Sequence, residues 1–175
     1  MTHSAATSTS STSPRSADGS ASSASTTAAL LRTILRGSAA VLVLVGGFIH
    51  LRLWQQQYKD LPAEVPGSWL VRDGFRANAA TSVVLAVALI AIGFPLFARL
   101  HRFVVVGALG FEIAAIAILV ATRYRAVFDW IEKGDWGTGP KRTIVVEILA
   151  VIALLGVLVF ERVRPGGDHP VANTP

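Results

Sequence analysis

Cysteine is absent from this chain, and charge is scarce. Without thiols there can be no disulfide, no thiol nucleophile and no Cys-ligated zinc or iron–sulfur cluster. Cysteine usage therefore says nothing about the redox state of the compartment. Charged residues make up 15% of the 175 positions, against about a quarter in an ordinary soluble domain. Familiar catalytic signatures are missing too. There is no P-loop, no G-x-S-x-G, no H-E-x-x-H and no dinucleotide fingerprint. The run Gly107-Ala108-Leu109-Gly110 reads as helix packing rather than a nucleotide loop.

What the chain has in abundance is apolar sequence. Hydrophobic residues make up 52% of it, and the mean hydropathy is +0.54. They are gathered into four long runs, which point to a bilayer as solvent. The net charge of +5 does not indicate nucleic acid, because the Lys and Arg residues flank apolar runs instead of forming a basic stripe interleaved with aromatics. Anionic lipid is the natural partner of such charges.

The expected fold is all-α, a four-span antiparallel transmembrane helix bundle. Residues 1–27, almost entirely Ser, Thr and Ala, cannot bury apolar surface and are expected to be a disordered tail. The spans are expected at 28–54, 68–100, 102–123 and 142–164, with a second disordered tail at 165–175. Each exceeds the ~20 residues needed to cross ~30 Å of hydrocarbon. Pro66-Gly67 breaks the chain before the second span, and Pro95 is expected to bend that span near its end. Gly46-Gly47, Gly107 and Gly110 are candidate close-packing points. The second and third spans are joined by a short basic connection, so they are expected to be antiparallel neighbours.

Four spans put both termini on one side. The tails and the short connection carry seven Lys and Arg, and the two longer loops carry nine, which slightly favours termini outside. Against that, all four Trp and six acidic residues lie in the longer loops, the short connection is purely basic, and a long polar tail precedes the first span. The expected location is the cell membrane with cytoplasmic termini.

An ionisable group near the bilayer centre costs at least ~2.5 kcal/mol, so each one needs a reason. Glu112 lies about 15 Å along its helix from Arg102, at mid-bilayer depth. The first and third spans run toward the long-loop face, and the second and fourth run away from it. His50 is late in the first span, Asn78 early in the second and Glu147 early in the fourth. All three should therefore lie at similar depth, about 9–12 Å above the midplane. Arg123 follows Glu112 by three helical turns on the same face. The expectation is a polar funnel open to the long-loop side. Arg123, His50, Asn78 and Glu147 would form its upper part and Glu112 its floor, with Tyr58, Tyr124, Arg52 and Arg125 at the mouth. Such a funnel fits a proton or cation path or a site for a small polar-headed ligand. The plainer reading is structural, with a protonated Glu112 bonding between helices and His50 paired with Glu147.

Catalytic residues and a metal site are not indicated. His3 and His169 lie in the tails, while His50 and His101 lie at opposite faces, which argues against a bis-His haem in one protomer. His50 and Glu147 alone are too few ligands for a metal. The stretch from Glu132 to Pro140 reads as a solvated, turn-rich loop. No particular cofactor is implied.

The pattern His50-Leu51, Tyr58, Pro62, Gly67, Phe75, Asn78-Ala79, Ser82 and Val146-Glu147-Ile148 resembles small four-helix membrane proteins of high-GC bacteria. It covers roughly residues 35–163. The resemblance implies the four-span fold and draws attention to His50, Asn78 and Glu147, but it implies no reaction. A more distant architectural likeness to DoxX-like four-helix proteins implies association with quinones or redox partners. With no catalytic motif and no second domain, the first expectation is a non-enzymatic accessory or scaffold role, bound to another membrane protein or to a second copy. The alternatives are a proton- or cation-coupled transporter or channel subunit, and a quinone-linked redox protein.

Overall fold

A computed structural model describes residues 18–162 apart from Lys133 and Asp135. The expected C-terminal tail and residues 1–17 lie outside the described residues. Four long helices account for most of what is described: α1 (Asp18–Leu53), α2 (Ser68–Ala91), α3 (His101–Tyr124) and α4 (Thr138–Arg162). A π-helical turn, Trp54–Tyr58, prolongs α1, and a 3-10 segment, Pro95–Leu100, leads into α3. Each long helix holds a segment long and apolar enough to cross a membrane. The chain is a multi-pass membrane protein.

The distribution of side chains explains why this bundle suits lipid. Its large apolar residues point outward, with Val84 66% and Phe103 78% exposed. Small residues recur through its interior, among them Ala39, Ala86, Ala108 and Ala150. In lipid there is no hydrophobic gain from burying Leu or Phe, so helices associate where small side chains let backbones approach. Gly47 shows this directly. Its Cα faces Ser82 and the Ala79 carbonyl on α2, leaving no space for a Cβ. Gly46 faces Val146 on α4. Gly107 and Gly110 do not meet the expectation of close packing. Both are exposed, and nothing lies within 4 Å of where a Cβ would stand.

Three helix boundaries differ from those expected, each for a local reason. Residues 18–27 continue α1 instead of belonging to the tail. Ala and Ser extend a helix cheaply once an apolar segment has nucleated it. The second span ends at Ala91, not at Leu100. Proline clashes with the carbonyl four residues before it, which for Pro95 is that of Ala91. The chain then closes with tight bonds, Gly93 N–H to Ile90 O and Phe94 N–H to Ala91 O, both 3.0 Å. The last helix starts earlier than expected, at Thr138, because Pro140 fits within a first turn.

Connectivity also misleads slightly about neighbours. The α1 helix packs along both α2 and α4, and α3 lies mainly against α4, meeting α2 only over a short stretch. Toward the short-connection side the interior is a continuous apolar cluster that includes Val43, Leu89, Val105, Ala108, Leu154 and Val157. Toward the long-loop side it becomes aromatic, with Leu53, Tyr58 and Val71 packed against Phe75 and Trp130.

The two longer loops lock together over this second cluster. Val127 and Trp130 exchange backbone bonds of 2.8 and 3.0 Å, closing a tight turn through Phe128 and Asp129, both at positive φ. The backbone of that turn rests on Gly67, itself at φ 72°, in the space any side chain there would fill.

Candidate functional site

The centre of the site is a pair of side chains from helices of opposite direction. His50 is near the upper end of α1, and Glu147 is early in α4. His50 Nε2 lies 2.8 Å from Glu147 Oε1, and the residues are only 6% and 1% exposed. The common depth expected of these two residues is therefore met. Each partner keeps one buried polar atom without a hydrogen bond in the protein, Nδ1 of His50 and Oε2 of Glu147. The Phe75 ring leans against the imidazole with centroids 5.0 Å apart.

His50 also lines a cavity of about 120 Å³ walled mainly by residues of α2 and α3. Phe75 and Asn78 of α2, Thr122 and Arg123 of α3, and Tyr58 share its wall. The Asn78 side-chain oxygen accepts a bond of 3.4 Å from Ser82. Thr122 returns its hydroxyl proton to the Leu119 carbonyl at 3.0 Å. Arg123 donates to the Gly134 carbonyl at 3.3 Å and stacks 5.1 Å from the centroid of Trp136, so it stands at the mouth and turns toward the loop.

The roof of the cavity contains Glu132, which its polar, turn-rich surroundings in the sequence assign to a solvated loop. Instead it is half-buried, and its two oxygens accept bonds from Tyr58 Oη and Trp130 Nε1, each 3.1 Å. Tyr58 stacks on Phe75 at 5.0 Å and meets Trp130 edge-on at 6.3 Å. Tyr58, Trp130 and Glu132 also border an outer recess under the loops, so this trio separates that recess from the inner cavity. Replacing Tyr58 with Phe removes one bond to the carboxylate and little volume. The expected cost is about 1 kcal/mol, read as a lower unfolding midpoint in mixed micelles.

Of the other expected funnel residues, Glu112 is buried on α3, 3% exposed, and near enough to Glu147 for their charges to interact. Neither of these glutamates lines the cavity. Arg52, Tyr124 and Arg125, expected at the mouth, are exposed and do not line it. Arg52 and Tyr124 point away from it around their helix axes, and Arg125 lies past the end of α3 in extended backbone. Among the described residues, no group of three or more His, Asp or Glu could hold a metal ion.

These features define a four-span helical membrane protein with a buried acid–base pair and a small aromatic-walled cavity in its long-loop half. No family model, curated protein or solved structure matches the chain.

Proposed function

We propose that this is a non-enzymatic accessory component of the cell membrane, with cytoplasmic termini, that holds a small ligand or a proton at the His50–Glu147 pair and does not carry it across. One observation supports this reading above others. The pair and its cavity occupy the long-loop half, while the helices continue beneath Glu112 as an apolar layer. From Glu112 to Val105 is about 10 Å of helix rise, and the buried cluster that holds Val105 and Ala108 is made of Ala, Val, Leu and Ile. Among the described residues, a charge crossing that layer would meet no buried polar group to replace its water. The expected funnel thus reads as a pocket with a closed floor, which weighs against a transporter or channel within one protomer. An accessory role implies a partner, either another membrane protein or a second copy.

The test is proton flux in sealed lipid vesicles under an imposed pH gradient. Intact protein is expected to leak no faster than protein-free vesicles, and Glu112→Gln is expected to change assembly or stability but not flux. A flux that Glu112→Gln removes while assembly stays intact would sink this reading.

A further inference from the structure

On the outer side of the bundle, α1 and α2 leave an open trough of about 690 Å³ between them. It shares no wall residue with the His50 cavity. Leu44 and Phe48 of α1 and Val83 of α2 form its sides, and all three are exposed. The small residues Gly47, Ala79 and Ala80 lie between them, where the two helices approach most closely.

Arg76 stands at the long-loop end of the trough. Asn78 is expected about 9–12 Å above the midplane, so Arg76, two residues nearer the long loops, lies at about 12–15 Å. That is the edge of a hydrocarbon core ~30 Å thick. From Arg76 to Val83 the trough descends about 10 Å toward the midplane. Its polar end therefore meets lipid headgroups, and its apolar length runs beside acyl chains.

Helical periodicity adds two further cations to that end. Residues 45, 48 and 52 share one stripe of α1, so Arg52 stands one turn above Phe48. Residues 72, 76, 79 and 83 share one stripe of α2, so Arg72 stands one turn above Arg76. Among the described residues, Asp73 is the carboxylate that pairs with this group, at 3.7 Å from Arg72 and 3.8 Å from Arg76. Three positive charges thus meet one negative charge. The Arg76 guanidinium also lies over the Trp54 ring, 5.4 Å from its centroid. Stacking of that kind leaves the guanidinium N–H edges for a phosphate.

A second copy of the chain does not suit this face. Copies inserted in the same direction and related by a two-fold axis along the bilayer normal would set the same three arginines against each other at one depth. A phospholipid answers both the charge and the shape.

We propose that the trough is a specific site for one anionic phospholipid of the long-loop leaflet. Its phosphate lies against Arg76 and Arg52, and one acyl chain fills the length between Phe48 and Val83.

The test is native mass spectrometry of the full chain, released from micelles that carry equal amounts of phosphatidylglycerol and phosphatidylcholine with identical acyl chains. One phosphatidylglycerol per chain is expected to be retained, with at least about a tenfold preference over phosphatidylcholine. This readout needs no variant. Replacing two exposed arginines together, Arg52→Gln with Arg76→Gln, should cut the preference to about twofold or less. Arg99→Gln with Arg102→Gln, exposed at the opposite end of the bundle, should leave it unchanged. Ala80→Phe, at an exposed position, keeps the arginines but fills the trough and should lower retention of both lipids. Equal retention of the two lipids by the intact chain would overturn the proposal. So would a preference that survives the loss of Arg52 and Arg76. A chain dimer that excludes bound lipid, and that Ala80→Phe dissociates, would overturn it too by assigning the trough to a second copy.

Discussion

His50→Leu is expected to destabilise the protein by about 3 kcal/mol or more, and adding Glu147→Leu is expected to recover most of the loss. Breaking a buried pair from one side leaves the other member desolvated and alone. Glu147 is the worse one to strand. It is 1% exposed, its Oε2 already lacks a partner, and the carboxylate of Glu112 is close enough for like charges to repel. Glu147→Leu alone should cost less, about 1–2 kcal/mol, because an imidazole can remain neutral where a lone carboxylate must take up a proton. A double-mutant cycle in bicelles, with unfolding followed by steric trapping or by denaturing detergent, measures all three. A neutral His50→Leu would mean that the pair is solvated in the membrane.

The second large effect is expected at Gly67. At φ 72° a side chain costs about 1–2 kcal/mol for conformation alone. A Cβ at Gly67 would also strike the backbone of Phe128, Asp129 and Trp130, which cannot move aside as a flexible side chain would. Gly67→Ala should therefore cost about 3 kcal/mol in total and displace the turn that carries Trp130. Loss of the indole bond to Glu132 should shift tryptophan emission to longer wavelength. Gly37→Ala is the control. It is helical, and nothing lies within 4 Å of the added Cβ, so it should be neutral or slightly stabilising.

Much of this architecture is legible in residue order because helices in a bilayer convert sequence number into depth. At 1.5 Å per residue, late in α1 and early in α4 are the same height, and His50 and Glu147 are bonded there. Direction around the axis is harder to read. It depends on which neighbours a helix finds, and α3 lies mainly against α4 rather than against α2, which it follows in sequence. For that reason Tyr124 falls outside the cavity, and Gly107 and Gly110 face outward. Glu132 is illegible for another reason. A carboxylate in a polar, Gly-rich loop looks solvated until the loop folds back, and this fold depends on Gly67, far earlier in the chain. The end of α2 is within reach, since the clash of Pro95 with the carbonyl four residues earlier fixes it at Ala91.

The proposed binding site depends on His50 and Glu147 being bonded to each other within the bilayer. Solid-state NMR in native-like lipid measures this directly, through dipolar recoupling between ¹⁵N-labelled imidazole and the ¹³C-labelled Glu side-chain carboxyl carbon. Signals from the other histidines are removed by comparison with His50→Leu. Strong dephasing, matching Nε2 and Oε1 at 2.8 Å, is the predicted result. A His50 signal that does not dephase, in protein that remains folded, would contradict the pairing and the pocket built on it.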